Sequence, residues 1–279
     1  HCDHSDSMGA RESGWIQMYC ENAQEVYESL ILAVRIAEHP DIRLPVMVCQ
    51  DGFITSHAVE AVETFDDDAV REFIGEPETE HSLIDVDNPV TYGPLDLYDY
   101  YFEHKRQQSD AMLRAQKAIP EVCAEFEDTF GSRHAMVENY RTEDAEYGVV
   151  ALGSTAGTAK SVVDELRSNG TKAGLVKPRF MRPFPATELR NSVRGFDSVG
   201  VLDRSESFST QGGPLYQELR SSLYDLCNLD RTLLISSYIY GLGGREIDPP
   251  LIREIFEHLA EPPSAEEVTR EVHYVGVRE

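Results

Sequence analysis

The chain has 279 residues, of which 41% are hydrophobic, and this is enough for one large or two modest domains with buried cores. It carries 25 lysines and arginines against 50 aspartates and glutamates, for a formal net charge of −25. A charge of this sign disfavours nucleic acid and anionic membranes as partners. No apolar run in the sequence approaches the length of a membrane-spanning helix.

The first fifteen residues combine histidines, aspartates and serines with small residues, and Arg11 is their single arginine. Polar side chains beside Gly9 and Gly14 are typical of a loop where a ligand approaches the backbone closely. An arginine in such a loop suits bidentate binding of a planar carboxylate or phosphate better than a lysine does. The alternative interpretation is a solvated terminus with a surface arginine.

The next part of the chain predicts helices around one buried strand. The predicted elements are a helix over 21–38, a strand over 44–49, a short helix over 66–73, an extended segment over 76–97 and a long helix over 98–130. The strand is a short apolar run that includes the β-branched Val46 and Val48, as expected for burial on both faces of a parallel sheet. We expect the long helix to be kinked or broken before Pro120, because proline lacks the backbone N–H that an inner turn requires.

A polar linker over 141–144 is the predicted domain boundary, and strands and helices alternate after it. The predicted strands are 149–152, 173–177, 198–203 and 233–238, and the predicted helices are 159–167, 187–194, 214–224 and 249–259. A proline-rich turn is expected over 182–185, and the charged tail is expected to contain an edge strand over 272–277. Repeated βα units predict a parallel sheet covered by helices on both faces.

Two glycine-rich turns, 153–158 and 241–244, superficially resemble phosphate-binding motifs. Neither has the G-x-G-x-x-G spacing, and Lys160 does not occupy a P-loop position. We therefore interpret both as structural turns, the second one near a subunit interface.

The five cysteines are widely spaced and form no C-x-x-C pair: Cys2, Cys20, Cys49, Cys123 and Cys227. The sequence therefore encodes neither an iron–sulfur cluster site nor a structural zinc site. Free thiols in a reducing cytoplasm are the simplest interpretation. His1, Cys2 and His4 make only a weak metal site, because they are three ligands on a terminus, and no metal ligand is assigned.

Residues 4–14, H-S-D-S-M-G-A-R-E-S-G, resemble the H-S-D-x-M-x-x-R-x-[ST]-G segment of the 2-oxoacid:ferredoxin oxidoreductases. The segment is most similar to that of the alpha subunits of pyruvate:ferredoxin oxidoreductase (pyruvate synthase). The resemblance continues in order through residues 14–17, 44–48, 51–57, 87–89, 140–146, 153–160, 182–185 and 241–245. It therefore spans essentially the whole chain.

The resemblance implies an α/β fold with two domains. Residues 1–140 would be the C-terminal part of a thiamine-enzyme pyrimidine-binding domain with a long helical connection. Residues 141–262 would be a transketolase C-terminal-like parallel-sheet domain, and 263–279 a tail. Family members carry a further segment before H-S-D, with a threonine that contacts pyruvate and a glutamate that activates the thiamine ring. We therefore expect a fragment or one piece of a split subunit, and no catalytic residue is assigned.

By the same resemblance, Arg11 would bind the carboxylate of the 2-oxoacid. A fixed cation there would orient the C2 carbonyl of the substrate. His4, Ser5 and Asp6 would support this loop, with Asp6 orienting Arg11 and His4 near the active-site face. A structural salt bridge is the alternative role for Arg11.

Asp51, Phe53 and His57 lie at the exit of the strand over 44–49, the edge where parallel sheets place ligand contacts. One interpretation is that they lie near the cofactor and position the residues that contact it. The other is a satisfied polar turn over a core, which we favour for Asp51, while His57 stays open.

The family's reaction converts pyruvate, coenzyme A and oxidised ferredoxin into acetyl-CoA, CO2 and reduced ferredoxin. The resemblance implies thiamine diphosphate and Mg2+ held mainly by a partner subunit, [4Fe-4S] clusters on partner subunits, and coenzyme A as co-substrate. It implies beta, gamma and delta-type partner subunits, ferredoxin bound through the complex, and a cytoplasmic location.

Three alternatives stay open at this stage. The chain could belong to the same family and act on a branched-chain 2-oxoacid, 2-oxoglutarate or oxalate. It could be a non-catalytic assembly module, or the thiamine-binding E1 component of a dehydrogenase complex, which needs no cluster subunits.

The acidic, lysine-poor composition predicts a halophilic or salt-tolerant protein, because salt screens the self-repulsion of a surface with net charge −25. We expect the melting temperature to rise by roughly 5 °C or more between about 0.1 M and about 2 M KCl. Thermal melts followed by circular dichroism measure this change. A melting temperature that does not depend on salt would contradict the hypothesis.

Overall fold

The computed structural model describes residues 2–76, 81–224, 233–261 and 272–278. Its helices are α1 (Ser5–Gly9), α2 (Ala23–Ala37), α3 (Asp67–Ile74), α4 (Tyr101–Phe130), α5 (Thr155–Ser168), α6 (Ala186–Val193), α7 (Pro214–Leu223) and α8 (Pro249–Ala260). Its strands are β1 (Ile16–Tyr19), β2 (Val46–Cys49), β3 (Val137–Tyr140), β4 (Tyr147–Ala151), β5 (Ala173–Pro178), β6 (Phe180–Arg182), β7 (Ser198–Asp203), β8 (Leu234–Ile239) and β9 (Val272–Tyr274).

The larger sheet has six strands in the order β3-β5-β4-β7-β8-β9. Every neighbouring pair is parallel except β3 and β5, which are antiparallel. On β4, Val149 and Ala151 pack towards α5 and α8, while Val150 packs towards α6 and α7. Both faces are therefore covered, and the predicted parallel sheet is confirmed.

The smaller sheet has the order β2-β1-β6, with β1 parallel to β2 and antiparallel to β6. Ile16 and Met18 of β1 point into a core built with α2, α3 and α4. Phe126 of α4 and Phe73 of α3 meet there edge to face, with ring centroids 5.4 Å apart. Helix burial therefore stabilises a sheet that is too small to stand alone.

The two sheets exchange segments across the predicted boundary at 141. Strand β3, which precedes it, pairs with β5 of the larger sheet. Strand β6, which follows it, pairs with β1 of the smaller sheet. A cut at 141 in sequence therefore does not separate the two sheets in space.

Three strands, β1, β3 and β6, were not predicted from sequence. Each has only three or four residues, which is too short to display a period. The residues expected to form a proline-rich turn begin inside β6. The predicted edge strand over 272–277 is shorter in the structure, as β9, and residues 262–271 of the tail lie outside the described residues.

The long helix was predicted to be kinked or broken before Pro120, and the break is wrong, because α4 runs without interruption through this residue. Its buried stripe extends to both sides of the proline, with Ala115 and Ile119 before it and Val122 and Phe126 after it. Burial of this stripe outweighs the loss of one backbone hydrogen bond. No helix among the described residues is both long and apolar enough to cross a bilayer.

A buried lysine, Lys177 on β5, joins the two sheets. Its Nζ donates to Glu21 at 2.6 Å, to Glu25 at 2.5 Å and to Glu138 at 3.2 Å, and the side chain has no exposed surface. Burial raises the pKa of Glu25, but the charges of Arg179 and Lys177 outweigh this and hold it at about 2. The three carboxylates lie close enough to hold a metal ion, and the ammonium group of Lys177 occupies their centre instead.

Replacing Lys177 with methionine should destabilise the fold by roughly 3 kcal/mol, because it removes the fully buried cation and leaves the three carboxylates only Lys160 and Arg179. Denaturant unfolding at neutral pH measures this loss. The matched control is Lys172→Met, which removes an exposed pair with Glu146 and should leave the stability close to that of the wild type. Equal effects of the two substitutions would show that Lys177 does not hold the sheets together.

Candidate active site

The opening loop, residues 2–15, lies over the carboxyl ends of strands from both sheets. Its backbone is tied to the larger sheet, because the His4 N–H donates to the carbonyl of Arg204, directly after β7, at 2.8 Å. The Gly243 N–H, in the turn after β8, donates to the Asp3 carboxylate at 2.7 Å. Open parallel sheets bind their ligands at this edge, so the loop stands where a ligand is expected.

Asp51, which follows β2, is the buried carboxylate beneath this loop. Its Oδ1 lies 2.7 Å from His4 Nε2, and its Oδ2 accepts hydrogen bonds from the Ser154 N–H at 2.8 Å and from the Ser154 hydroxyl. Nη1 of the fully buried Arg204 lies 3.3 Å from the same Oδ2. We call these four residues the Asp51 network. It connects the opening loop, the smaller sheet and two strand ends of the larger sheet.

Two glycines leave room for the side chains of the Asp51 network, because they carry no Cβ. Gly153 and Gly241 both have positive φ, at 63° and 65°. A Cβ on Gly153 would lie 2.9 Å from Asp51 Oδ2, and one on Gly241 would lie 2.9 Å from Arg204 Nε. Both turns therefore need glycine for backbone conformation and for close approach. This geometry supports the interpretation of these glycine-rich segments as structural turns.

The environment of Asp51 favours its charged form. Burial raises the pKa of this carboxyl, but the hydrogen bond and charge of His4, the hydrogen bond from Ser154 and the charge of Arg204 outweigh burial and hold it at about 2. Asp51 is therefore ionised at neutral pH and gives the opening loop a fixed anionic partner.

The loop is fixed a second time by β1. The Tyr19 hydroxyl donates to Ser7 Oγ at 2.9 Å, and Gln17 Nε2 donates to the Ser7 carbonyl at 2.7 Å. Burial raises the pKa of Tyr19, so its hydroxyl stays a donor at neutral pH. Two side chains of β1 thus hold helix α1 in place through Ser7.

Arg11 follows α1 and keeps 28% of its side chain exposed. Its Nη1 donates to the Met8 carbonyl at 3.3 Å, and its Nε lies 3.1 Å from Glu12 Oε1. Arg182, at the end of β6, donates to Glu12 at 3.0 Å and to Glu218 of α7 at 2.6 Å. Glu12 is therefore shared by two arginines, while part of the Arg11 guanidinium stays open to solvent.

Asp203, the last residue of β7, is a second buried carboxylate near Arg11. It accepts hydrogen bonds from the backbone N–H groups of Leu215 at 2.7 Å and Tyr216 at 3.0 Å, and so caps the start of α7. Burial raises its pKa to about 7, although these two donors and the positive charge of Arg11 act in the opposite direction. The carboxyl edge of β7 thus carries a group that titrates near neutral pH.

Ser5 and Asp6 lie on the exposed side of α1. The Asp6 carboxylate accepts a hydrogen bond from the Ser7 N–H at 2.6 Å. The carboxylate that lies against Arg11 is that of Glu12. The expectation that Asp6 orients Arg11 is therefore replaced by Glu12, which is the neighbour of Arg11 in sequence.

Of the three residues at the exit of β2, only Asp51 contacts the opening loop in the described structure. Phe53 and His57 are exposed, and their rings stack on each other with centroids 4.6 Å apart. His57 Nδ1 lies 2.8 Å from Ser56 Oγ. Asp51 therefore supports the opening loop, while a role of these residues in supporting a cofactor site stays a prediction.

The described contacts of Cys2 and His4 do not support a metal site at the terminus. His4 bonds Asp51, and Cys2 Sγ accepts a long contact from Arg204 at 3.8 Å. His1 lies outside the described residues.

Sequence reasoning missed Arg204 and Arg182. A signal for the first exists, because Asp203, Arg204 and Ser205 follow an apolar strand directly, where charged residues meet ligands or each other. Arg182 carried no such signal, because its strand is only three residues long.

Asp51→Asn should remove a pH-dependent part of the stability. A carboxyl whose pKa falls from 3.8 to about 2 on folding stabilises the fold by roughly 2 kcal/mol above pH 4, and this is lost as pH falls towards 2. The stability gap between wild type and variant, measured by urea unfolding, should therefore narrow between pH 5 and pH 3. The exposed Asp41→Asn is the control and should change stability by about 0.5 kcal/mol or less. A gap that stays constant with pH would contradict this account.

Two family models match the chain. One, described as pyruvate flavodoxin/ferredoxin oxidoreductase, thiamine diphosphate-binding, covers residues 1–124, and pyruvate:ferredoxin oxidoreductase core domain II covers residues 145–252. A solved 2-oxoglutarate:ferredoxin oxidoreductase from Magnetococcus marinus aligns with a TM-score of 0.53 over 88% of this chain and 42% of its own. At 15% identity this alignment shows a common fold.

Curated relatives are closer in sequence. Pyruvate synthase subunit PorA of Thermotoga maritima is 52% identical over 279 residues, which are 100% of this chain and 69% of the relative. The alpha subunit of the NADH-dependent phenylglyoxylate dehydrogenase of Aromatoleum evansii is 38% identical over 262 residues, 91% of this chain and 62% of the relative. The chain thus spans about two thirds of the length of these relatives. An identity this high over the whole chain, together with both domain matches, shows that the chain belongs to the pyruvate:ferredoxin oxidoreductase family.

Proposed function

We propose that the chain is a subunit of a thiamine diphosphate-dependent oxidoreductase that converts pyruvate, coenzyme A and oxidised ferredoxin into acetyl-CoA, CO2 and reduced ferredoxin. The observation that carries this proposal is the 52% identity over the whole chain to a pyruvate synthase subunit. The geometry supports it, because the hydrogen bond between His4 and Asp51 holds the opening loop in place and the Arg11 side chain stays 28% exposed.

In this proposal Arg11 binds the carboxylate of the 2-oxoacid. Its Nε side faces Glu12 and its Nη1 reaches the Met8 carbonyl, so the remaining N–H donors are held in one orientation. A planar guanidinium fixed in this way orients the C2 carbonyl of the substrate. The Asp51 network supports the loop, and Arg11 itself contacts the substrate.

Thiamine diphosphate, when bound, supplies the nucleophile for the carbonyl carbon and accepts the electron pair that CO2 leaves behind. A glutamate that activates the ring of thiamine diphosphate must have a carboxylate free to contact that ring. Glu12 and Glu218 do not fit this role, because both are paired with Arg182. We therefore derive no step through this group from the described residues.

The metal groups also do not fit the described residues. The one cluster of three metal-ligating side chains found among them, around Glu21, is filled by Lys177. Burial raises the pKa of Cys20 to about 11 and of Cys49 to about 12, so these thiols are protonated at neutral pH when no metal ion is bound. We assign Mg2+ and the [4Fe-4S] clusters to partner subunits, and coenzyme A enters as co-substrate.

The partners in this proposal are beta, gamma and delta-type subunits of the same enzyme, and ferredoxin binds through the complex. Cys2, Cys20, Cys49 and Cys123 are all free thiols in the described structure. This favours a reducing compartment and therefore the cytoplasm.

A second 2-oxoacid is the main rival substrate. The relative from Aromatoleum evansii is named as a phenylglyoxylate dehydrogenase subunit, so one family scaffold serves different side chains on the oxoacid. An assembly module without catalysis is the rival of a different class.

Native purification through this chain, followed by viologen reduction under anoxic, high-salt conditions, tests the proposal. Reduction that depends on pyruvate and coenzyme A, with iron and sulfide co-purifying, is expected. A complex that contains iron and sulfide but reduces viologen only with another 2-oxoacid would replace the substrate. An inactive chain without iron would overturn the function.

In the intact complex, Arg11→Lys should lower kcat/KM for pyruvate roughly ten- to hundredfold, about 1.4–2.8 kcal/mol, mostly through a higher KM. Lysine keeps the charge but loses the bidentate fork. Steady-state viologen reduction measures both constants. Arg133→Lys, an exposed arginine outside the loop, is the control and should be neutral. Wild-type kinetics in Arg11→Lys would remove Arg11 from the substrate site.

A further inference from the structure

Residues 81–103, which we call the arm, link α3 to the first turn of α4 and lie almost entirely on the surface. They carry ten large hydrophobic side chains that are each more than half exposed: Leu83, Ile84, Val86, Tyr92, Leu95, Leu97, Tyr98, Tyr100, Tyr101 and Phe102. Tyr98 is 98% exposed and Ile84 is 89% exposed. Ten large apolar side chains exposed to water on one short segment mark an interaction surface.

The arm holds its shape through local bonds. The Tyr92 hydroxyl donates to the His81 carbonyl at 2.7 Å, and Asn88 Nδ2 donates to Asp85 at 3.1 Å. His104 pairs with Asp96 at the start of α4. These bonds use polar groups of the arm and of His104 on α4, and they leave the apolar side chains exposed to solvent. The surface is therefore organised before a partner arrives, which lowers the entropy lost on binding.

The charge of the arm selects the kind of partner. It contains five carboxylates and neither lysine nor arginine: Asp85, Asp87, Asp96, Asp99 and Glu103. A second copy of this chain would bring its own net charge of −25, and like charges across an interface are costly. The complementary surface is an apolar groove bordered by lysines and arginines. Exposed tyrosines fit such a contact, because aromatic residues are enriched at the cores of interfaces.

The arm also leads to the substrate loop. It continues into α4, where Gln108 Nε2 donates to the Ser13 carbonyl at 3.4 Å. Gly14 lies against the same side chain, since a Cβ there would meet Gln108 at 2.2 Å. A protein that binds the arm is therefore placed beside the loop that carries Arg11.

We propose that the arm is the docking surface for a basic, apolar-grooved partner subunit, and that this contact sets the partner's active-site face beside Arg11. The proposal rests on the proposed function, which requires a partner to hold the cofactor. It assigns that contact to a defined segment of this chain.

The first test is assembly of the holoenzyme with the triple variant Ile84→Ser, Leu95→Ser and Tyr98→Ser. All three side chains are exposed, so the variant should keep the circular dichroism spectrum and melting temperature of the wild type. We expect at least tenfold less partner subunit to co-purify through a tag on this chain. Leu113→Ser, an exposed residue further along α4, is the matched control and should assemble normally. Normal assembly of a folded triple variant would overturn the proposal.

The second test places a photo-cross-linking amino acid at position 98 of the purified wild-type complex. A cross-link to a partner subunit, at a peptide that contains lysine or arginine, is expected. A cross-link to a second copy, or to another part of this same chain, would overturn the proposal while leaving the proposed function standing. If wild-type chain brings down no partner subunit at all, the proposed function fails and this inference fails with it.

Charge reversal tests the basic groove directly. Asp99→Lys with Glu103→Lys should weaken partner binding at low salt at least tenfold, and this difference should shrink as salt screens the charges. Asp128→Lys, on the far end of α4, is the control. Tighter binding by the double variant would indicate an acidic partner and overturn the assignment.

Discussion

One buried carboxylate, that of Asp51, holds the candidate site together. It bonds His4 on the opening loop, Ser154 after β4 and Arg204 after β7. These groups come from both sheets, so the loop can sit over the strand ends only when the two sheets are docked. A buried charge that lost its partners would be strongly destabilising. The network therefore couples the position of Arg11 to the packing of the whole chain.

A second ionic cluster reinforces this coupling. Lys177 of the larger sheet reaches Glu21 and Glu25 beside the smaller sheet. Strands β3 and β6 cross between the parts of the sequence as well. Chain exchange and two buried ion networks thus make a rigid base, which a substrate anchor needs in order to keep its geometry. The arm leaves this base on the outside and continues into α4, whose Gln108 contacts the opening loop, so the proposed docking surface lies near the loop that carries Arg11.

How much the sequence predicted depended on the length of each element. The α2, α5 and α8 helices and the β4, β5, β7 and β8 strands follow clear periods, and all were predicted within a few residues. The β1, β3 and β6 strands are too short to show a period, and they form because neighbouring strands offer hydrogen-bond partners: β2 pairs with β1, β1 with β6, and β5 with β3. Pro120 was predicted to kink or break the long helix, and burial on both sides of the proline keeps α4 continuous. Local propensity decides a segment only where tertiary contacts do not outweigh it.

By itself the sequence determined the α/β class, the βα alternation after residue 145, and a polar loop whose single arginine suits a carboxylate, since period, composition and local motif are properties of neighbouring residues. Only the tertiary structure decided which groups meet. Asp51 and Arg204 are 153 positions apart and form one ion pair, Glu12 rather than Asp6 lies against Arg11, and Phe53 and His57 face outward. These outcomes depend on how two sheets dock, and docking is set by the packing of the whole core.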